Sequence, residues 1–312
     1  MPLAILVVYF LDEATLPILN LHLDAIARRT RRPYVIYAAA PRVSERIRQR
    51  LMEQPQLRLF DFRADGLTGS REHSALLDQL VRQAISDGCE QLCTMDVDAF
   101  PVVDAWDEVL ASEIARGQWA VAVFRAENGD TALPHPSCCW FPAELVRRHG
   151  LTFLPEPAAL FSGSLGEFLS ATGQRPDSGI GLGWLLWSEG LPWTRLTRTN
   201  AIDDHYLMAG VYGDIVFHLG AMSWADRDFR GDRQGVAVLR LLDAVEALMR
   251  RHGWFVGRAA AIWHSLSYRF SRSLVARTNA TFSRIAASLS RDPDAYIARL
   301  RGRSGGAQAA EP

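Results

Sequence analysis

Over its first 95 residues the chain alternates short apolar, β-rich runs with amphipathic segments of helical period, and few folds accommodate that order. Ala4–Tyr9 is continuously apolar, as a strand covered on both faces must be. Leu16, Leu19, Leu23 and Ile26 follow at spacings of 3, 4 and 3, one face of a helix. Pro17 falls in its first turn, where a missing N–H leaves nothing unpaired. Tyr34–Ala38 reads as a second strand, Ser44–Met52 as a more exposed helix and Leu57–Phe62 as a third strand. After a break at Gly66–Ser70, the residues Leu76, Leu77, Leu80, Val81, Ala84 and Ile85 mark a helix that ends near Gly88. Gln91–Met95 is a fourth strand and runs directly into Asp96-Val97-Asp98. This order predicts an α/β fold with a mainly parallel central sheet covered by helices on both faces, and ligands of such sheets sit beyond the carboxyl ends of the strands. Both aspartates stand at that edge.

Past Pro101 the pattern loosens. A helix is expected around Trp106–Ile114 and a strand at Trp119–Phe124, whereas residues 126–176, rich in Pro, Gly and Ser, read as loop-dominated. Asp177 opens a glycine-rich stretch that feeds a helix at Leu182–Glu189, and strands follow near Trp193–Leu196 and Asp214–His218. From about Gln234 the pattern is helical to near Arg303, and Ser304–Pro312 reads as a frayed tail. The expected organisation is an α/β domain at 1–230, a helical C-terminal extension at 231–303 and a flexible tail at 304–312. Trp184 and Trp187, at helical spacing, fit a core better than an aromatic binding face.

With 48% hydrophobic and 22% charged residues, the chain is an ordinary globular one, which excludes disorder, collagen-like repeats and a disulfide scaffold. Its near-neutral charge conceals two halves: residues 1–230 carry 21 basic and 29 acidic side chains, residues 231–312 carry 13 and 6. Every basic side chain is arginine, so Schiff-base and P-loop lysine chemistry is excluded, and a positive charge facing a phosphate must be arginine or metal. Cys89, Cys93, Cys138 and Cys139 lack the spacing of a zinc knuckle and read as buried free thiols. The apolar start at Met1–Leu11 has no basic segment before it and meets Asp12-Glu13 at once, which points to a cytoplasmic protein. Eight arginines and no acid lie between Glu246 and Asp292, interleaved with Trp254, Phe255, Ile262, Trp263, Leu266, Tyr268 and Phe270. Such a segment suits peripheral contact with an anionic membrane, a homodimer interface or packing on the acidic half, and no recognised motif assigns it to nucleic acid.

Two carboxylates at i and i+2 of an extended chain point to one side, about 6–7 Å apart. At a strand terminus they can share a hard divalent cation, Mn²⁺ or Mg²⁺, that completes its shell with waters and phosphate oxygens; a solvated turn is the alternative. With this strand, and with GSREHSALLDQLVRQA at Gly69–Ala84 in the place of a glycine-then-helix segment, residues 3–100 resemble the GT-A glycosyltransferases, family 2-like enzymes that use nucleotide sugars. Ile5–Phe10 matches their first strand. The resemblance implies Asp98 as a metal ligand, and Asp96 as a contact to the metal or to the ribose of a nucleotide diphosphate sugar. RPDSGIGLGWLLWSEG resembles the acidic motif ahead of the family's acceptor-side helix, which implies Asp177 as general base of an inverting transfer; a helix N-cap or Asx-turn role is the other reading of that residue. YGDIVFHLGAMS resembles the late strand bearing a metal-binding histidine, which implies His218 as a ligand.

Two departures accompany the resemblance. The family's nucleobase-reading aspartate is replaced by Ala38-Ala39-Ala40, so base recognition falls to Phe10, Arg71 or His73, and the last of these also suits an anion contact or a cap at a helix start. The family's N-terminal Pro-Thr-Tyr turn is replaced by Tyr9-Phe10-Leu11. The implied activity is metal-dependent transfer of a hexosyl or related glycosyl group to an acceptor hydroxyl of unread identity. A sugar nucleotidyltransferase is the alternative enzyme, against which stands the missing G-x-G-T-R-L loop. A nucleotide-sugar-binding scaffold without catalysis is the alternative class.

Overall fold

A computed structural model describes residues 2–156, 158, 163–202, 205, 207–220, 241–242, 244–246, 248–249, 251–252 and 257–302. Strands β1 (Leu3–Val8), β2 (Tyr34–Ala39), β3 (Leu57–Phe60) and β4 (Gln91–Met95) form a parallel half-sheet joined through α1 (Leu16–Arg29), α2 (Glu45–Met52) and α3 (Gly69–Ser86). The all-apolar β1 is buried along its whole length because both faces are covered. Leu3, Ile5 and Val7 pack with Leu19, Leu23 and Ile26 of α1 and with Ile47 and Leu51 of α2. Ala4, Leu6 and Val8 pack with Leu76, Leu77, Leu80 and Val81 of α3. Each fully buried Leu, Ile or Val contributes about 1.5–3 kcal/mol, so an uninterrupted apolar run is what a two-faced strand requires.

The second half contains β5 (Ala99–Pro101), α4 (Trp106–Ala115), β6 (Ala120–Phe124), β7 (His135–Pro142), α5 (Ala143–His149), α6 (Gly163–Thr172), α7 (Ile180–Ser188), β8 (Trp193–Thr197), β9 (Gly210–Tyr212) and β10 (Val216–His218). The large sheet has seven strands in the order β3-β2-β1-β4-β7-β6-β8, and β5-β10-β9 form a small antiparallel sheet. Two expectations are corrected here. The stretch 126–176 is not loop-dominated: it holds a strand near the middle of the sheet and two helices. That strand, β7, is antiparallel to both neighbours, and the other pairings of the sheet are parallel, so the sheet is mainly parallel as expected. Its sequence, HPSCCWFP, looks turn-like because of its prolines, yet the ladder to β4 covers only Cys138–Pro142 and a register shift against β6 separates His135 from Cys139. Pro136 therefore lies where no regular ladder needs its N–H. All four cysteines are free and buried. Trp184 packs against a cluster with Leu165 and Phe168, but Trp187 is 45% exposed, which overturns the core reading for that residue.

At the C-terminal end, α8 (Gly257–Arg291) and α9 (Pro293–Gly302) supply Phe282, Ile285, Leu289, Tyr296, Ile297 and Leu300 to a core shared with Ile18, Phe100, Val102, Phe217 and Leu219. These helices brace α1 and the small sheet. The start of the helical extension near Gln234, Trp254 and Phe255, and the tail at 304–312, lie outside the described residues. No described helix is long and apolar enough to cross a membrane.

Candidate functional site

The carboxyl ends of β4 and β6 and the amino end of the antiparallel β7 meet at one edge of the sheet, because β4 and β6 run the same way and β7 runs opposite. Asp96 follows β4, Arg125 follows β6, and His135 opens β7. The aspartate pair occupies a tight turn rather than extended chain: the Ala99 N–H donates to the Asp96 carbonyl at 2.9 Å, and the Leu219 N–H donates to the Asp98 carbonyl at 2.9 Å. This turn feeds β5, on which β10 pairs with His218 opposite Ala99. The register sets His218 beside the two aspartates.

His218 Nε2 lies 3.5 Å from Asp98 Oδ1 and 4.0 Å from Asp96 Oδ2. One ligand atom from each of Asp96, Asp98 and His218 lies within 4.8 Å of the others. Asp98 is 4% exposed, and among the described residues His218 is the only ion-pair partner of its carboxylate, with no hydrogen-bond donor upon it. A buried carboxylate satisfied so sparsely is what a bound cation would complete. Two carboxylates and one imidazole form a hard, oxygen-weighted donor set, suited to Mn²⁺ or Mg²⁺ with positions left for other oxygens. Burial works to raise the Asp96 carboxyl, but the His73 hydrogen bond and the charges of His73, His218 and Arg125 outweigh it and hold the group below the usual carboxylate range.

This cluster lies in a cleft of about 410 Å³ that His73, His135, Arg125 and Asp177 also line. Asp177 stands ahead of α7, where its Oδ1 accepts from Ser70 Oγ and from the Ser178 N–H, both at 2.8 Å. The residue at the helix N-cap is Gly179, so the carboxylate of Asp177 does not act there; it borders the cleft at 38% side-chain exposure. Arg125 Nη2 approaches Asp177 Oδ2 at 3.6 Å, and Arg125 Nε donates to Asp130 Oδ2 at 3.0 Å. Burial works against the charge of Arg125, yet Asp130 and Asp177 hold its pKa above the usual value.

Phe10 and His73 border the same cleft, with the Arg42 guanidinium 4.8 Å above the Phe10 ring. His73 Nε2 is 3.4 Å from Asp96 Oδ1, and its Nδ1 is 3.0 Å from Ser178 Oγ, so it links the aspartate turn to the start of α7. Arg71 does not join them: it does not line the cleft, and its guanidinium lies 3.7 Å from Glu156. Arg42, Arg125 and His135 are cleft residues that sequence reasoning did not place. Arg125 follows the run Ala120–Phe124, and the strand-end rule that singled out Asp96 would have found it. His135 carried no such signal, because its place depends on the direction of β7.

No family model matches this chain, and no curated protein does. Solved structures to which it is similar include the mannosyltransferase PcManGT from Pyrobaculum calidifontis in complex with GDP-Man and Mn²⁺, at 12% identity over 96% of this chain and 84% of that one, with a TM-score of 0.43. The galactosyltransferase LgtC in complex with donor and acceptor sugar analogues matches at 11% identity over 62% and 73% of the two chains, with a TM-score of 0.39. TarS of S. aureus, residues 1–349 in complex with UDP-GlcNAc, matches at 11% identity over 49% of this chain, with a TM-score of 0.35. The match spans about half (48%) of that TarS chain.

Proposed function

We propose that the protein is a Mn²⁺- or Mg²⁺-dependent, inverting glycosyltransferase that moves a sugar from a nucleotide diphosphate sugar to an acceptor hydroxyl. The observation that carries this reading is the meeting of Asp96, Asp98 and His218 within 4.8 Å, in the same cleft as Asp177. In this reading Asp98 and His218 hold the cation, and Asp96 contacts it or the ribose. A cation held by these residues would supply positive charge against that developing on the leaving diphosphate. His73 steadies Asp96 from the other side. Phe10, with Arg42 over its ring, offers a flat, positively flanked surface for a nucleobase in the cleft. Asp177 accepts the acceptor's proton: the Ser70 hydroxyl and the Ser178 N–H hold Oδ1, which leaves Oδ2 free of hydrogen bonds beside Arg125.

A panel of nucleotide sugars tested by Mn²⁺-dependent thermal shift examines cation and donor together. Asp98→Asn is expected to lose the Mn²⁺-dependent shift and to raise the barrier to transfer by about 3 kcal/mol or more, comparable to removing a major electrostatic stabiliser. Asp177→Asn is expected to keep donor binding and lose transfer, and the product of the unaltered enzyme should carry inverted configuration at the anomeric carbon. Normal turnover in the first variant refutes the metal assignment, and transfer that survives in the second refutes the base.

A further inference from the structure

His135 has a defined tautomer. The backbone N–H of Ser137 donates to His135 Nδ1 at 3.2 Å, and Ser137 Oγ lies 2.8 Å from the same nitrogen. A backbone amide can only donate, so Nδ1 must accept, and the proton of the neutral ring belongs to Nε2. Nε2 has no hydrogen-bond partner among the described residues, and it is not among their sealed, unpartnered atoms, so its N–H is open to the cleft that the residue lines. The ring lies 5.6 Å, centroid to centroid, from that of His218, but a protonated Nε2 has no lone pair for a metal ion. Ligation would require the tautomer to reverse and the Ser137 bonds to break.

The position of this N–H along the cleft is rigidly tied to that of Asp177. Gly179, at φ +98°, approaches the turn into β7 so closely that a Cβ there would stand 2.5 Å from the Pro134 carbonyl oxygen. Gly183 approaches likewise, its Cβ position being 2.4 Å from the Ala132 carbonyl oxygen. His135 thus faces the cleft with its ring beside that of the cation ligand His218 and with the turn before it packed on Gly179, two residues past Asp177. In a transfer of the kind proposed above, the group between a metal-held diphosphate and the base is the sugar. We infer that His135 is a sugar-binding, specificity-determining residue whose Nε2–H donates to a hydroxyl of the transferred sugar. The inference rests on the proposed glycosyl transfer, and it predicts a donor whose sugar presents an acceptor oxygen at that point, so that a deoxy analogue lacking it binds less well.

The test compares His135→Phe, which keeps a ring and removes the donor, with His135→Asn, which restores an N–H. Affinities for Mn²⁺, for the nucleoside diphosphate and for the matching nucleotide sugar are measured by calorimetry. His135→Phe is expected to lose about tenfold in nucleotide-sugar affinity, the scale of one hydrogen bond whose partner is left buried, while Mn²⁺ and nucleoside diphosphate affinities stay unchanged. His135→Asn should recover part of the loss. In the unaltered protein, ¹⁵N chemical shifts of the ring should report the Nε2–H tautomer at neutral pH. An Nδ1–H tautomer overturns the inference, as does unchanged sugar affinity in His135→Phe. An equal loss of nucleoside diphosphate affinity reassigns the contact to phosphate, and a loss of Mn²⁺ affinity reassigns it to the metal; either overturns it. If the unaltered protein binds no nucleotide sugar, the proposed function falls and the inference falls with it.

Discussion

His22 lies behind the aspartate turn and is completely buried. Its Nδ1 is 2.7 Å from the Ala99 carbonyl, to which it must donate, and its Nε2 is 3.4 Å from the Tyr9 hydroxyl. One donor and one acceptor satisfy a neutral ring. Burial lowers its pKa from 6.5 to about 4 against the opposing pull of the Ala99 hydrogen bond and of Asp98 and Asp96. A group depressed in the folded state contributes stability that is complete above its unfolded value of 6.5 and is lost as pH falls through the folded one. The gap corresponds to about 3 kcal/mol in full, of which about 2 kcal/mol is gone by about pH 5. Urea unfolding in chelator, near neutral pH and at about pH 5, on the unaltered protein and on His22→Phe isolates this term, because the other titrating groups cancel in the comparison. His22→Phe should be less stable near neutrality by about 1–3 kcal/mol, since it leaves the Ala99 carbonyl unpaired. It should also lose about 2 kcal/mol less than the unaltered protein on acidification. Equal pH dependence in the two proteins would refute the claim that His22 is held neutral.

Further predictions concern the supports of the site. Gly181→Ala would set a Cβ 1.8 Å from the Thr152 carbonyl oxygen, so α7 must shift; about 3 kcal/mol of lost stability in chemical denaturation, with loss of transfer, is expected. Asp107 is fully buried and accepts the N–H groups of Arg31 at 3.0 Å and Arg32 at 2.8 Å. Its replacement by Ala should cost about 3 kcal/mol in the same assay, by leaving two donors short of a charged partner. Ile285→Ala in α8 should cost about 2–4 kcal/mol and weaken Mn²⁺ binding in calorimetry, because Ile285 shares its core with Phe217, next to His218. Stability lost without any change in Mn²⁺ affinity would refute that link.

Much of the parallel half was legible in the residues themselves. β1 and β4 are covered on both faces, so each needs an uninterrupted apolar run whichever helices cover it, and that run is visible without knowing the partners; β4 lies at Gln91–Met95, where the run predicts it. Asp96 stood out for the same reason, at the end of an apolar run. Past Pro101 the agreement fails, because HPSCCWFP becomes a strand only through partners distant in sequence, with Cys138 opposite Met95 and Trp140 opposite Cys93. Its prolines and polar residues say turn when read alone. The extended-chain argument for Asp96 and Asp98 likewise missed the turn that actually presents them, since Val97 gives no local sign of where the chain bends.

What the sequence determined by itself was the alternation that demands a sheet, the aspartates at its edge, and the absence of lysine, which leaves Arg42 and Arg125 as the cleft's arginines. Tertiary structure alone decided which residues share the cleft. His218 joins the aspartates through the pairing of β10 with β5, His135 faces the cleft through the reversed direction of β7, and Arg71 is left out. The physical reason is range: side-chain period and strand-end chemistry are encoded within a few residues, whereas strand direction and register are set by hydrogen bonds between segments tens of residues apart, where one reversal moves a side chain to the opposite edge of the sheet.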